Sequence, residues 1–279
     1  MILPAAIHLI WWTAIPMVAT LALGFTDYDV LSGAASFVGV ANFIEIFGDD
    51  AWLRAMWQTV VFTFFTVPVS MSVAMVVASL LNAKLRGASW YRAAYFLPQV
   101  TATVSVAMVW IWMYDARVGL FNAILALFGI TGPAWLADPQ WALAAVIIMS
   151  IWKSIGVQML IYLAALQSIP TSVYEAASVD GAGPLRRFWS ITVPMLRPAT
   201  FFVFIVSIIE AFQAFDQIYV MTPDGGPANS TTVMTYEIYR MAFEDFRLGT
   251  ASAQSIVLFV FLLVVTLAGR RLIGRDERD

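Results

Sequence analysis

Four stretches of this chain, residues 1–26, 55–83, 93–114 and 248–269, contain no Lys, Arg, Asp or Glu. Each exceeds the roughly 20 apolar residues that an α-helix needs to cross the hydrocarbon core of a bilayer. Two more, 139–174 and 198–223, match them apart from Lys153 in the first and Glu210 and Asp216 in the second. The pattern predicts an all-α membrane protein of six transmembrane helices, with cores near 3–25, 57–82, 93–114, 141–165, 199–221 and 253–270. Composition agrees: a soluble domain carries about 25% charged residues to hold its surface in water, and this chain carries 12%. A transmembrane β-barrel is the wrong reading, because the runs show no period-2 alternation. The first run has no positive leader and is too long for the apolar part of a cleaved signal peptide, so it reads as a span.

Orientation follows from the positive charges. The connections after spans two and four and the tail after span six carry Lys84, Arg86, Arg92, Arg186, Arg187, Arg197, Arg270, Arg271, Arg275 and Arg278. The opposite connections hold Arg54, Arg117, Arg240 and Arg247 among eleven carboxylates, Asp29 one of them. The positive-inside rule then puts both termini in the cytoplasm and 27–53, 115–138 and 222–247 outside. The acidic 27–50 loop reads either as solvated surface or as a partner contact. Trp11, Trp12, Trp52, Trp57, Trp90, Tyr91, Trp135 and Trp141 fall mostly near span ends, where an interfacial aromatic belt is expected.

Several chemistries are excluded. There is no Cys and a single His, His8, which removes thiolate nucleophiles, Cys-ligated metals and imidazole relays. A net charge of −3 gives no basic footprint for nucleic acid. No phosphate loop of the G-x-x-x-x-G-K-[ST] type occurs, and Gly181-Ala182-Gly183 lacks the third glycine of a dinucleotide fingerprint, so the chain does not bind ATP by itself. Glu210 and Asp216, about 9 Å apart along a helix axis, are too separated for a shared-proton dyad.

The most organised polar stretch lies between spans four and five, residues 168–194. It reads as two short helices around a glycine bend: Ser172-x-x-Glu175 fits a capping box, Gly181 a C-terminal break, and Gly183-Pro184 the start of the second helix. Phe188, Trp189, Ile191 and Val193 give that helix an apolar side, with Arg186, Arg187 and Arg197 placed for lipid phosphates. Within this stretch stand Glu175-Ala176-Ala177, then Gly181 after three residues, then Ile191-Thr192-Val193-Pro194 after nine more. Around it stand Phe25 to Tyr28, Phe37 to Phe43, Phe96-Leu97-Pro98, Ala165 to Pro170, Phe215 to Thr222, Gly225-Gly226-Pro227 and Phe246 to Gly249.

With these motifs the sequence resembles the permease subunits of binding-protein-dependent ABC importers, in the maltose-transporter-like branch that handles carbohydrates and glycerol phosphates. Its signature is E-A-A, three residues, G, nine residues, I-x-L-P; Val193 stands here in place of the usual Leu, a conservative apolar exchange. The resemblance implies one permease domain over residues 1–279 with the type I importer fold and a cytoplasmic coupling loop at 166–197. It implies a second homologous permease, two cytoplasmic ATP-binding subunits that bind the nucleotide, an extracytoplasmic solute-binding protein and no cofactor in this chain, which is then not an enzyme. Glu175, Ala176, Ala177, Asp180 and Gly181 would form the ATPase-coupling site. For Glu175 two readings stand, a cation partner in the ATPase cleft and a capping box worth about 1 kcal/mol.

Charged side chains are costly in a bilayer and face a partner helix or a watery cavity. On a 100° helical wheel Glu210, Gln213 and Gln217 share a face with Asp216 on its flank, and Lys153, Ser154 and Gln158 in span four supply a second wall. The resemblance places a sugar site at this depth, where Phe212, Phe215 and Tyr219 would stack on sugar faces. Asp216 reads equally as a solute contact and as the partner of a neighbouring subunit. Two other classes compete: an ion- or proton-coupled carrier using Lys153, Glu210 and Asp216, for which no inverted repeat is found, and a structural subunit, which leaves those charges without a use.

Overall fold

The structure, a computed structural model, describes residues 3–28, 30, 33–82 and 87–276, with side chains to residue 269. Asp29, Lys84, Arg86 and Arg278 of the orientation reading lie outside the described residues, as do the side chains of Arg270, Arg271 and Arg275. Helix α1 (Leu3–Leu23) leads into a two-stranded antiparallel hairpin, β1 (Thr26–Tyr28) and β2 (Ala35–Phe37), with Thr26 opposite Phe37. Then follow α2 (Ala41–Gly48), α3 (Asp50–Leu81), α4 (Ala88–Val100), α5 (Thr103–Met113), α6 (Leu120–Leu127) and α7 (Ala142–Gln167). The chain continues through α8 (Thr171–Val179), α9 (Pro184–Met195), α10 (Arg197–Phe212), α11 (Asp216–Met221), α12 (Met234–Phe243) and α13 (Leu248–Asp276).

Four helices, α1, α3, α7 and the Leu248–Gly269 part of α13, are each long and apolar enough to cross a membrane. The third predicted span is two helices, α4 and α5, meeting at 100°. Thr101 and Ala102 are extended at that joint. Pro98 has no N–H to continue the ladder, and the Thr101 hydroxyl turns back to the Leu97 carbonyl at 3.0 Å. The fifth span is also broken, since α10 stops at Phe212 before α11 restarts at Asp216, and α9 of the preceding loop joins α10 at 67°. Phe215 has φ −137° and ψ −60°, and the hydroxyl of Thr235, just inside α12, donates to the carbonyl of buried Ala214. The single wheel drawn through 210–217 therefore does not hold, because the helix is interrupted between Phe212 and Asp216 with no Pro or Gly at the break.

Lipid tails are as apolar as Leu, so close approach and hydrogen bonds select the packing of such a bundle. Helix α3 presents Ser70, Ala74 and Ala78 four residues apart, all buried, and packs chiefly on α7. Gly156 of α7 lets α4 come so near that a Cβ there would lie 2.2 Å from the Tyr95 carbonyl oxygen. Gln158 clasps three helices together, its Nε2 donating to Ser70 Oγ at 3.1 Å and Ser207 Oγ at 2.9 Å. Around this clasp Phe62, Val67, Met149, Met159 and Tyr162 fill the core. Helix α1 has no buried residue in its membrane window and rests on α13.

The 27–50 loop is folded onto the bundle rather than simply solvated. Asn42 in α2 is buried, and its Nδ2 donates to the carbonyls of Gly24 and Thr26 at 3.0 and 2.9 Å. In α12, Glu237 is fully buried and accepts from Arg240 Nη2 at 2.6 Å; burial pushes its carboxyl above the usual carboxylate range, against the pull of Arg240. The aromatic-belt reading fails for two residues. Trp52 is in the core, and Trp135 packs on Tyr114 and Trp141 while its Nε1 donates to Asn122 Oδ1 at 2.7 Å.

Candidate functional site

The two broken spans meet at one place, a cavity of about 240 Å³ walled by α3, α5, α7, α10 and the α10–α11 break. Sequence reasoning named Lys153, Ser154, Gln158, Glu210, Gln213, Asp216 and Gln217, and all seven line it. They converge because α10 breaks: Glu210 projects from the end of one helix, Gln213 from the irregular turn and Asp216 and Gln217 from the start of the next. Lys153 Nζ donates to Thr103 Oγ1 at 2.9 Å, joining α7 to the first residue of α5. Among the described residues the only ion pairs are Arg240–Glu237 and Arg247–Glu45, so neither Glu210 nor Asp216 is paired with Lys153. Deeper in the wall, Thr66 Oγ1, Ser150 Oγ and Gln158 Oε1 are buried without a hydrogen-bond partner. The polar groups that face the cavity are Glu210, Gln213 and Asp216, all exposed in its wall, with Lys153, Ser154 and Gln217 half-buried beside them.

Two predicted residues are elsewhere. Phe212 turns away from the cavity, its ring 4.6 Å from that of Phe261 in α13. Tyr219 stays outside the cavity wall on α11 and stacks on Phe215, which does line it. The residues that sequence reasoning missed are Thr66, Ser70, Gln99, Thr103, Ser150 and Ser207. For Thr66 and Ser70 the signal was present in span two, where Thr59, Thr63, Thr66 and Ser70 recur at three and four residues along one helix face.

At the far end of α7, α8 and α9 form a helical hairpin. Gly181 turns it with φ +74°, the left-handed conformation glycine adopts without strain, and Ala182 N–H bonds back to the Ala177 carbonyl at 2.9 Å. Nothing lies within 4 Å of a Cβ at Gly181, so conformation and not crowding requires glycine there. Arg187 Nη1 to Ser178 Oγ at 2.8 Å and Tyr174 Oη to Thr192 Oγ1 at 3.1 Å staple the two helices. As expected, Gly183 precedes α9 and Pro184 opens it. The capping box does not form: Pro170 precedes the first turn of α8, Ser172 falls inside that turn, and no side chain caps it. That removes the capping reading of Glu175, which is exposed, as are Ala176 and Asp180; Ala177 is half-buried.

A helical bundle of up to six spans, broken at membrane depth around a polar cavity and carrying a protruding two-helix hairpin, is the permease fold of type I ABC importers. A chain of a bacterial ABC transporter involved in the import of the acidic polysaccharide alginate superposes with a TM-score of 0.87 at 23% identity, over 99% of this chain and 94% of that one. A chain of the MetNI methionine ABC transporter superposes at 0.56 and 18% identity, over 80% and 94%. The chain belongs to the family of binding-protein-dependent transport system inner membrane components, whose sequence model matches residues 38–278. Its relatives include the sn-glycerol-3-phosphate transport system permease proteins UgpA of Yersinia pestis, 35% identical over 88% of this chain and 83% of that protein, and of Escherichia coli, 36% identical over 90% and 84%. It is thus a multi-pass permease component of an ABC importer. ATP hydrolysis lies in separate subunits, and the carrier alternative has no support.

Proposed function

We propose that this permease moves a small neutral polyhydroxylated solute, a polyol or a monosaccharide-sized sugar, through the cavity at the two helix breaks. The observation that carries this is the wall itself: Ser154, Glu210, Gln213, Asp216 and Gln217 line it, with a single ammonium, Lys153, against two carboxylates. Such a set accepts and donates hydrogen bonds to hydroxyls, and its excess of carboxylate opposes a phosphate dianion. A volume of about 240 Å³ sits at the small end of ligand sites, which run about 300–1,000 Å³. The second reading is glycerol 3-phosphate, favoured by the UgpA relatives and by Lys153.

The working unit pairs this chain with a second permease, two ATP-binding subunits and an extracytoplasmic binding protein. The exposed tip of the hairpin within 166–197, with Glu175, Ala176, Ala177, Asp180 and the turn at Gly181, docks on an ATP-binding subunit in the cytoplasm. Both termini share that side, and the chain acts as one permease domain with no cofactor of its own. The test is ATP hydrolysis by the reconstituted complex with its binding protein, offered glycerol, glucose and glycerol 3-phosphate in turn. Stimulation by a neutral member supports the proposal, stimulation by glycerol 3-phosphate alone selects the second reading, and response to none removes both.

A further inference from the structure

Helix α12 holds the buried Glu237 with its partner Arg240, ends beside Glu244 and Asp245, and carries a row of aromatic rings. Tyr239 and Phe243, four residues apart, meet at ring centroids 5.2 Å apart. Tyr239 also lies 5.2 Å from Phe215 and 5.3 Å from Tyr219, and the Phe215 and Tyr219 rings stack at 5.3 Å and 25°. One end of this row, Phe215, is part of the cavity wall. The other end is open, with Phe243 64% exposed, and Tyr219 beside Phe215 is 44% exposed. Tyr219 follows Asp216 by three residues, so the exposed face of α11 runs without interruption from cavity carboxylate to ring.

The geometry points to Phe243, Tyr239, Tyr219 and Phe215 as an aromatic track that receives the polyhydroxylated solute at the outer face and passes it, ring to ring, into the cavity. The C–H faces of a sugar or polyol lie on aromatic rings while its hydroxyls stay wet, and the Tyr hydroxyls offer exchangeable hydrogen bonds along the way. A track of weak contacts lets a solute advance without being held, whereas the carboxylates and amides of the cavity wall beyond Phe215 hold it. This inference rests on the function proposed above and extends it to residues outside the cavity.

The test is uptake of radiolabelled glycerol, glucose and glycerol 3-phosphate into proteoliposomes holding the full importer, for wild type, Tyr239→Leu, Phe243→Leu and Tyr239→Phe. Losing one ring should raise the KM of the transported solute about two- to tenfold. Maximal uptake, subunit assembly and basal ATP hydrolysis should stay unchanged, and Tyr239→Phe, which keeps the ring, should stay near wild type. Exposed Phe243 makes Phe243→Leu independent of folding. Wild-type uptake of none of the three solutes overturns the cavity reading and the track with it. Wild-type uptake with an unaltered KM in both Leu variants overturns the track alone, as does loss of subunit assembly at unaltered KM, which would make the row a subunit interface.

Discussion

Gly156→Ala adds one methyl group where α7 crosses α4. The new Cβ would lie 2.2 Å from the Tyr95 carbonyl oxygen, 3.0 Å from its carbon and 3.1 Å from Phe96 Cα. Carbon and oxygen come no nearer than about 3.3 Å even in weak hydrogen bonds, so α4 must retreat by about 1 Å. Alanine is favoured over glycine inside a helix by about 1 kcal/mol, but overpacking a close contact costs about 1–3 kcal/mol or more. The obstructing atoms are backbone, which has no rotamer to yield, so the clash decides the sign. The displacement is passed to Thr103, which follows α4 and holds Lys153 at 2.9 Å in the cavity. The expected result is a lowered thermal midpoint of the purified complex and a larger loss of uptake than of subunit assembly. Gly48→Ala, where a Cβ would meet nothing within 4 Å, is the control and should leave both unchanged. Wild-type stability and uptake in Gly156→Ala would refute the packing that positions the cavity.

Glu175→Ala and Gly181→Leu should leave membrane insertion intact but weaken copurification of the ATP-binding subunits and substrate-stimulated ATP hydrolysis; near-normal values for both would end the docking assignment. Glu210→Gln should cut solute uptake and change its selectivity while assembly and basal ATP hydrolysis persist; disrupted assembly with unchanged selectivity would make Glu210 structural. Single cysteines at Asp49 and Asp224, but not at Asp180, should react with an impermeant thiol reagent on intact cells, and the reverse pattern would invert the topology. Those sites can be read cleanly because the chain has no native cysteine.

The charge-free runs located the spans because excluding charge from lipid is a strong and local constraint. The hairpin was legible for a similar reason, since Gly181 and Gly183-Pro184 encode backbone geometry in residue type. The break after Phe212 was not legible: Gln213, Ala214 and Phe215 carry no helix-breaking signal, and the partner of the Ala214 carbonyl at the break is Thr235, 21 residues on. The polar residues therefore line one cavity, but through a broken helix and not along the face of a single one. Phe212 shows the cost, since a sequence neighbour of Gln213 was assigned to the cavity but packs on Phe261. The capping box failed similarly, because the N-cap of α8 is Pro170, two residues before Ser172.

Adjacent residues with opposite surroundings give the sharpest test of the cavity as the solute pathway. Cysteine is placed singly at Gln213, which is exposed in the cavity wall, and at Phe212, which is buried against α13. Thiol labelling is then measured in the assembled importer, with the other subunits free of cysteine, with and without the solute that stimulates ATP hydrolysis. Gln213→Cys should react readily, be protected by solute and lose uptake once labelled, while Phe212→Cys stays unreactive. Equal labelling at both positions, indifferent to solute and without effect on uptake, would contradict the account.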